Sequence, residues 1–357
     1  MSDTEINRLL VDANDPISDA ARIVQHEPEK IALVAGPDRE LVGSVTDPLI
    51  RSALLSGHKP TDPVRYCMHA TPDFDYVDQP QEHYEAIMAR YGIDRIPLLD
   101  RDNRIAGVAT VEPAWKKPEN HPLVVIMAGG LGTRLSPLTD SMPKPMVEVG
   151  GKPLLEQIIL RFRSCGFRDF ALSVNYMANV IEDHFGDGSD FGVSIQYVRE
   201  AKRMGTAGSL SLLTVASERP VFVTNGDVLS GADYEAMMTF HCRRTAEATI
   251  AVNTYSEQIQ FGVITVENQK VVKIEEKPVV NFLANSGIYI VQGSVLKLLP
   301  KGGFFDMPTL LNMLAEQNDQ VIAYPLHEYW QDIGNLRDLD RARKRFDEVF
   351  GAKSPSS

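Results

Sequence analysis

The sequence predicts an α/β protein whose larger part is a doubly wound, mainly parallel sheet, preceded by a smaller α+β region. From Leu123 onward, apolar strand-like segments alternate with helical segments, as in a parallel sheet covered by helices. Before this point one helix–strand–strand unit occurs twice. We therefore place two domains at residues 1–118 and 122–350, followed by a flexible tail at 351–357.

Composition and charge argue against several function classes. Hydrophobic residues make up 43% and charged residues 24% of the chain, which are ordinary values for a folded protein. The net charge of -12 disfavours nucleic-acid or anionic-membrane binding, because both need an extended positive surface. The start MSDTEINRLL lacks the positive region of a secretory signal, and no apolar run approaches the roughly 20 residues that span a bilayer. We expect a cytoplasmic protein that binds neither nucleic acid nor membrane.

The three cysteines indicate neither a disulfide framework nor a zinc site. Cys67, Cys165 and Cys242 lie far apart in sequence and show no CxxC spacing. Reduced thiols are therefore expected.

The first region contains a weak internal repeat. Ile31 to Thr46 and Arg95 to Thr110 each read as strand, turn, strand, with a polar turn between two apolar runs. An amphipathic helical stretch precedes each of them, at Ile17 to Gln25 and at Gln81 to Tyr91. The repeated unit is therefore helix, strand, strand.

This double unit resembles a tandem pair of CBS modules. The resemblance implies an adenine nucleotide in the cleft between the halves, or else a purely structural or dimerising role. In the family pattern a carboxylate three residues after the Thr of each second strand holds the nucleotide ribose. Those positions are Leu49 and Pro113 here, although Asp47 and Glu112 lie close by. Because such pairs commonly associate face to face, we expect a homodimer or a higher homo-oligomer.

A linker and a set of strands follow. Trp115 to Pro122 is short, polar and carries two prolines, which predicts a connection between separately packed bodies. The segment LLEQIILRFRSCG predicts a helix that ends at Gly166. The predicted strands are LVVIMAGG, FALSVNY, VSIQYVRE, VFVTNGD, ATIAVNTY and NSGIYIV. Ligands of such sheets bind at the carboxyl ends of strands, where the richest polar sequences of this chain also lie.

A glycine-rich loop follows the first of these strands. Glycines directly after a strand let the backbone approach a ligand, and consecutive N–H groups can cradle phosphate oxygens. The loop is not a Walker A motif, because no GK[ST] follows, and it lacks the third glycine of a dinucleotide fingerprint. Arg134 and Lys144 lie in this loop region, where two cations would repel each other unless a polyanion joined them. The loop predicts an anion site.

The segment AGGLGTRLSPLTDSMPKPMVEVGGKP closely resembles the signature of the sugar-1-phosphate nucleotidyltransferases, and further family motifs follow in the expected order. The resemblance implies a Rossmann-like mixed, mainly parallel sheet. It also implies a reaction in which an oxygen of a sugar 1-phosphate attacks the α-phosphorus of a nucleoside triphosphate and releases pyrophosphate.

Nucleotidyl transfer needs two anions brought into line and their growing charge neutralised. Asp227 ends a predicted strand, where a carboxylate is well placed for Mg²⁺. The resemblance makes Asp227 and Asp332 the metal ligands and Mg²⁺ the cofactor. It assigns Arg134 to the leaving pyrophosphate and Lys144 to the substrate phosphates, so that Arg134, Lys144 and Asp227 are the expected catalytic residues.

The two substrates are expected at separate groups of residues. The resemblance places Lys277 at the phosphate of the sugar and Glu276 at its hydroxyls. The residues expected at the nucleotide are Ala128, Gly129, Gly130, Gly132, Thr133, Gly205, Thr206, Ala207 and Asn225. The residues expected at the sugar phosphate are Gly262, Glu276, Lys277 and Asn285.

The form GTAGSL resembles that of guanylyltransferases rather than thymidylyltransferases, which favours GTP. A tandem CBS pair fused to this signature is similar to the guanylyltransferases of legionaminic acid biosynthesis, which act on glucosamine 1-phosphate in nonulosonate and surface glycan pathways. Mannose 1-phosphate or heptose 1-phosphate is the alternative within the class. The alternative of another class is a catalytically weak, nucleotide-sensing CBS protein.

Overall fold

The structure, a computed structural model, describes residues 1–117, 120–317 and 320–351. The predicted tail lies outside these residues from 352 onward. The contacts of the chain divide it into two units. The first unit comprises Met1–His121 and Asp233–Thr245, and the second comprises Pro122–Ala232 and Ala246–Ser357.

A strand, a helix and a two-stranded hairpin occur twice in the first unit. This confirms the predicted helices and strand pairs of the repeat. The helices are α1 (Asp3–Arg8), α2 (Ile17–His26), α3 (Asp47–Leu55) and α4 (Gln81–Tyr91). The strands are β1 (Leu10–Val11), β2 (Ile31–Ala35), β3 (Leu41–Thr46), β4 (Asp75–Tyr76), β5 (Arg95–Leu99) and β6 (Ile105–Thr110).

The two halves of the first unit also share their strand pairing. In each half a short strand lies parallel to the first strand of an antiparallel hairpin. Both hairpins shift register before the last residue of their first strand. The turn residues Arg39 and Asn103 occupy equivalent positions, and both are left-handed, with φ of 65° and 61°. The internal repeat is therefore a repeat of backbone conformation as well as of sequence.

A seven-stranded mixed sheet forms the centre of the second unit within the described residues. Its strands are β7 (Leu123–Met127), β10 (Asp169–Val174), β11 (Ser194–Arg199), β12 (Pro220–Asn225), β14 (Ala248–Gln258), β17 (Val279–Gln292) and β18 (Val321–Leu326). Their order in the sheet is β11-β10-β7-β12-β17-β14-β18, and four of the six neighbouring pairs are parallel, which confirms the mainly parallel sheet.

Shorter strand pairs and helices complete the second unit. The short strands are β8 (Glu148–Val149), β9 (Lys152–Pro153), β13 (Val228–Ser230), β15 (Val263–Glu267), β16 (Lys270–Glu275) and β19 (Trp330–Asp332). The helices from here onward are α5 (Leu154–Ser164), α6 (Ala178–Phe185), α7 (Gly205–Gly208), α8 (Tyr234–Arg243), α9 (Met307–Glu316) and α10 (Leu336–Phe350). Of these, α8 alone lies in the first unit.

Both faces of the central sheet are covered, which explains why its strands read as continuous apolar runs. On one face Val125 and Val223 pack in a core cluster with Leu310 of α9. On the other face Phe162 of α5 meets Phe222 edge to face, with ring centroids 5.2 Å apart. Helix α5 ends at Ser164, and the predicted stop residue Gly166 follows with a left-handed φ of 92°.

An arm projects from this sheet, formed by the outer parts of β14 and β17 with the hairpin β15–β16 (residues 254–283). Almost every side chain of the hairpin is exposed on both faces. Several of the exposed side chains are large and apolar, among them Phe261, Ile264, Ile274 and Phe282. The arm therefore contributes little to the core of the second unit.

The predicted linker needs correction at its start. Trp115 is 4% exposed, and its indole N–H donates to Oγ1 of Thr239 in α8 at 3.1 Å. Lys116 Nζ lies 2.7 Å from Oε1 of Glu235 in the same helix. The large apolar surface of the indole is buried here, although the polar residues that follow it in the sequence predicted a linker. Pro118 and Glu119 lie outside the described residues.

No helix within the described residues combines the length and the apolar character that crossing a bilayer requires. Within the described part of the chain the three cysteines form no disulfide, and burial raises the pKa of Cys67 and of Cys242 to about 11.

Candidate active site

The glycine loop and Asp227 meet at the carboxyl ends of two neighbouring parallel strands. Asn225 at the end of β12 lies opposite Met127 at the end of β7. The N–H of Gly226 then donates to the carbonyl of Met127 at 2.9 Å. A Cβ at Gly226 would lie 2.8 Å from that carbonyl oxygen, so only glycine permits this approach. Asp227 is thereby fixed beside the start of the loop.

The two expected metal ligands are brought together by a short antiparallel pair. Strand β13 pairs with β19, and Val228 lies opposite Asp332. The N–H of Ile333 donates to the backbone carbonyl of Asp227 at 2.9 Å. Asp227 therefore directly precedes Val228, the partner of Asp332, and Asp332 directly precedes Ile333, the partner of Asp227.

Two cations complete this cluster. Nζ of Lys144, a buried side chain, lies 2.5 Å from Oδ2 of Asp227. A Cβ built on Gly334 would be 3.6 Å from a guanidinium nitrogen of Arg134 and 3.6 Å from Oδ2 of Asp332, so these two side chains flank the same glycine. The structure therefore gathers all four predicted charged residues, Arg134, Lys144, Asp227 and Asp332, around one point. We call them the charged cluster.

The surroundings of Asp332 disfavour the ionised form of its carboxyl group. Burial raises the pKa of the Asp332 carboxyl, and repulsion by Asp227 raises it further. Lys144 and Arg134 act in the opposite direction but do not cancel these effects. A cation placed between the two carboxylates would relieve this repulsion.

The chemistry of this donor set fits a hard divalent cation. Within the described residues no group of three or more His, Cys, Asp and Glu side chains could hold a metal ion. Mg²⁺ is commonly bound by one or two carboxylates, with water and substrate phosphate filling its other positions. Asp227 and Asp332 are such a pair.

The glycine loop is tightly packed at one glycine and open at another. Gly132 is left-handed with φ of 65°, and a Cβ there would lie 2.8 Å from Cβ of Lys144. Gly130 has open space where a side chain would project, so its backbone is accessible. Ala128 is buried, and Thr133 opens the short 3₁₀ turn that carries Arg134. The loop therefore combines a fixed base with an accessible backbone.

The second expected nucleotide segment is held by contacts within the protein. The N–H of Thr206 donates to Oδ1 of Asp306 at 3.0 Å, and the Thr206 hydroxyl accepts from the N–H of Met307 at 2.9 Å. The N–H of Ala207 donates to the carbonyl of Phe305 at 2.9 Å. Gly205 is left-handed with φ of 76°. These N–H groups are already engaged within the protein, so they are not the groups through which this segment would contact a ligand.

Two positioning residues were missed by the sequence reasoning. Glu200 accepts from the Ser173 hydroxyl at 2.7 Å and from the N–H of Met204 at 3.0 Å. Its Oε1 would lie 3.2 Å from a Cβ at Gly129, so it links the glycine loop to the segment after β11. Glu200 ends the predicted strand VSIQYVRE, and the argument applied to Asp227 could have found it. Asp306 carried no such signal, because its partner Thr206 is remote in sequence.

Asn225 and Asn285 are neighbours across a glycine. Gly287 is left-handed with φ of 70°, and a Cβ there would lie 2.7 Å from Nδ2 of Asn225. The N–H of Gly287 donates to Oδ1 of Asn285 at 3.0 Å. One expected nucleotide contact and one expected sugar contact therefore share one location.

The remaining sugar-phosphate residues lie on the arm. Gly262 and Glu276 are adjacent, since a Cβ at Gly262 would lie 3.0 Å from Oε2 of Glu276. Lys277 is exposed and left-handed, with φ of 47°. Within the described part of the chain, neither Glu276 nor Lys277 forms an ion pair with the charged cluster.

Comparison with known proteins shows the family to which the chain belongs. A nucleotidyl transferase family model matches residues 123–348, more than half of the chain and the whole of the charged cluster. This chain belongs to the nucleotidyl transferase family. The expected mixed, mainly parallel sheet is therefore that of the family.

Several proteins resemble this family member. The mannose-1-phosphate guanylyltransferase of Mycobacterium tuberculosis is 33% identical over 225 residues, which cover 61% of this chain and 62% of that protein. The matched region thus spans less than two thirds of that relative. HddC from Yersinia pseudotuberculosis is 26% identical with a TM-score of 0.50, covering 63% of this chain and 99% of HddC, and it has been solved with GMP-PN.

A structure from Bacillus anthracis, assigned as a glucose-1-phosphate thymidylyltransferase, shares the fold. Its TM-score is 0.52 at 24% identity, covering 66% of this chain and 97% of that structure. At this identity the likeness concerns the fold alone.

Proposed function

We propose that this chain transfers a nucleotidyl group from a nucleoside triphosphate to a sugar 1-phosphate. A phosphate oxygen of the sugar attacks the α-phosphorus, the bond from the α-phosphorus to the bridging oxygen breaks, and pyrophosphate leaves. The observation that carries the proposal is the charged cluster, which lies where β7 and β12 end beside a glycine loop. Two phosphorylated reactants need such a concentration of cations and metal-binding carboxylates.

The roles follow from position. The accessible backbone around Gly130 would cradle the triphosphate, and Arg134 would neutralise the pyrophosphate as it leaves. Lys144, buried against Asp227, is fixed in place and would contact the reacting phosphates without reorganising. Asp227 and Asp332 would hold Mg²⁺, which when bound shields the charge of the phosphate oxygens. Lys277 and Glu276 on the arm would hold the sugar phosphate and the sugar hydroxyls.

GTP is the proposed donor. The segment from Gly205 to Leu210 resembles the guanylyl form, the mycobacterial relative is named a guanylyltransferase, and HddC was solved with GMP-PN. Asn225, the last residue of β12, lies against Gly287 and would contribute one polar contact to the nucleotide.

Glucosamine 1-phosphate is the first candidate acceptor. The sequence pairs a repeated front unit with this catalytic signature, as in the enzymes of legionaminic acid biosynthesis that it resembles. Mannose 1-phosphate is the second candidate, which the name of the mycobacterial relative favours. The two candidates therefore rest on different observations: the front unit favours glucosamine 1-phosphate, and the name of a relative favours mannose 1-phosphate.

A substrate panel tests this function. Purified full chain with Mg²⁺ would be assayed for pyrophosphate release with GTP, ATP, UTP, CTP and dTTP against glucosamine, mannose, glucose and heptose 1-phosphates. We expect GTP with glucosamine 1-phosphate to have the highest kcat/KM. A higher value for mannose 1-phosphate would replace the acceptor. Absence of release from every pair would overturn the transferase function and favour a nucleotide-sensing protein.

We also propose that the first unit is a CBS pair that takes an adenine nucleotide and that the chain forms a homodimer. The repeated backbone pattern of the first unit supports the module. Calorimetry with AMP and ATP tests the nucleotide, and sedimentation equilibrium of the full chain tests the dimer. Absence of heat or a monomeric mass would remove the respective proposal.

A further inference from the structure

Glu200 lies between the two groups of residues that are expected at the nucleotide. Its Oε2 accepts from the N–H of Met204 at 3.0 Å, directly before Gly205 opens the second group. Its Oε1 would lie 3.2 Å from a Cβ at Gly129, in the glycine loop. One carboxylate therefore borders both segments that are expected to contact the nucleotide.

This carboxylate follows a strand that ends at the same edge of the sheet as the strand before Asp227. Strands β11, β10, β7 and β12 lie side by side and parallel, so their carboxyl ends meet there. Glu200 directly follows β11, and Asp227 lies two residues after β12. Three strand spacings of about 4.8 Å separate β11 from β12 by roughly 14 Å. That distance leaves room for a ribose between a base at Glu200 and phosphates at the charged cluster.

The surroundings of Glu200 differ from those of the charged cluster. Lys144 pairs with Asp227, whereas Glu200 forms no ion pair within the residues that the structure describes. The groups that hold its half-buried carboxylate are neutral, namely the Ser173 hydroxyl at 2.7 Å and the N–H of Met204. A carboxylate that lacks a cation suits a ligand group that offers N–H donors and carries no negative charge.

Two hydrogen bonds fix this carboxylate and leave part of its acceptor capacity unused. They occupy one position on each oxygen, and an ionised carboxylate can accept about four hydrogen bonds. Ser173 is fully buried in β10, and the amide of Asn175 donates to the backbone carbonyl of Glu200 at 2.7 Å, so side chain and backbone are both held. Glu200 therefore presents two adjacent oxygens, each able to accept one more hydrogen bond.

Guanine is the nucleobase that fits two adjacent acceptors. Its Watson–Crick edge carries two neighbouring donors, N1–H and the 2-amino group. Adenine and cytosine place a ring nitrogen with a lone pair beside their amino group, and uracil flanks its N3–H with two carbonyl oxygens. Each of these three bases would bring a lone pair against the carboxylate. Bonds from N–H donors to a carboxylate are charge-assisted and stronger than bonds between neutral groups.

We infer that Glu200 is the specificity-determining residue that selects guanine, by accepting hydrogen bonds from N1–H and from the 2-amino group. Ser173 and Met204 act as positioning residues, because their two hydrogen bonds set the plane of the carboxylate. The effect on turnover rests on the transferase function proposed above, whereas the effect on nucleotide binding does not.

Inosine triphosphate (ITP) tests the contact in the wild type, because it differs from GTP only in lacking the 2-amino group. The full chain would be assayed for pyrophosphate release with Mg²⁺ and a saturating concentration of the best acceptor of the substrate panel. We expect kcat/KM for GTP to exceed that for ITP at least about tenfold, and ATP to be poorer still. Equal values for GTP and ITP would overturn the role of Glu200, and this result needs no variant.

Glu200→Gln replaces one acceptor oxygen with an amide group and removes the negative charge at nearly the same size. We expect the ratio of GTP to ITP to fall to within about threefold. ATP should gain at least about tenfold relative to GTP, because N1 of adenine no longer faces a carboxylate. Glu218→Gln, an exposed glutamate two residues before β12, is the matched control and should keep both ratios. An equal loss with all three triphosphates would make Glu200 purely structural and overturn the inference.

Calorimetry with GDP and inosine diphosphate (IDP) gives a readout that does not depend on turnover. The wild type and Glu218→Gln should bind GDP at least about tenfold more tightly than IDP, whereas Glu200→Gln should bind the two within about threefold of each other. This binding result without pyrophosphate release from any substrate pair would refute the transferase function and leave the guanine site standing. Equal binding of GDP and IDP by the wild type would overturn the site, whatever the turnover.

Discussion

The N–H of Ile333 donates a hydrogen bond to the backbone carbonyl of Asp227 at 2.9 Å. This single bond joins two segments that are far apart in sequence and sets two carboxylates side by side. Because the bond extends the ladder of β13 and β19 by one residue, the backbone holds Asp227 near Asp332. The two carboxylates would be held together before a metal ion binds, so binding would require less reorganisation of the site.

Replacing either aspartate should abolish most activity without unfolding the chain. Asp227→Asn and Asp332→Asn each keep the size of the side chain but remove one metal-binding charge, so we expect kcat to fall by at least about a hundredfold. Pyrophosphate release at saturating Mg²⁺ measures this. Asp340→Asn, an exposed aspartate of α10, is the matched control and should keep full turnover. Wild-type activity in Asp227→Asn would remove the metal assignment.

Lys277→Ala should separate the two substrates. If Lys277 holds the sugar phosphate, its removal should raise the KM for the sugar 1-phosphate at least about tenfold and leave the KM for the triphosphate nearly unchanged. Initial rates with each substrate varied in turn give both constants. Lys270→Ala, on the same exposed hairpin, controls for the loss of a positive charge from the arm. Equal rises in both KM values would argue against the assignment.

Gly205→Ala should lower the free energy of unfolding, and the same substitution at Gly166 separates the contribution of backbone strain from that of a steric clash. Both Gly205 and Gly166 are left-handed, so alanine at either should cost about 1–2 kcal/mol of unfolding free energy through backbone strain. At Gly205 the new Cβ would also lie 2.6 Å from the carbonyl oxygen of Phe305, whereas at Gly166 it would meet nothing within 4 Å. Denaturant titration should therefore show a larger loss for Gly205→Ala. Equal losses would mean that the loop relaxes around the clash.

Stability should fall on acidification because of His241. Burial lowers the pKa of this histidine from 6.5 to about 4. As the pH falls below about 6.5, His241 takes up a proton in the unfolded chain but stays neutral in the folded chain until about pH 4. The free energy of unfolding therefore decreases by up to about 3 kcal/mol across this interval. Urea titrations at several pH values would compare the wild type with His241→Gln. The variant should lack this part of the slope, and parallel curves would contradict the expectation.

Much of the fold was predictable because its signals are local. Continuous apolar runs predicted β7 and β12, since strands buried on both faces have no polar alternation. The glycine loop and Asp227 were predictable because they directly follow these strands. Even the repeat of the first unit was visible, because its two hairpins keep equivalent positions for their turns.

Other features had no local signal. Trp115 stood in a polar stretch that predicted a linker, yet it is buried, and its partner Thr239 is remote in sequence. Asp306 fixes Thr206 from an equally remote position. Pairs of this kind are chosen by the packing of whole elements, so neither member shows its role in its own neighbourhood.

By itself, the sequence determined which residues carry charge and which strands bring them to one edge of a sheet, because side-chain type and hydrophobic period are written along the chain. Only the tertiary structure decided that α8, which follows β13 in the chain, belongs to the first unit and lines a cavity of that unit. Contacts through single polar atoms at a few helix positions make that choice. Such contacts do not produce a periodic pattern in the sequence, since their energy depends on partners that are brought close only when the chain folds.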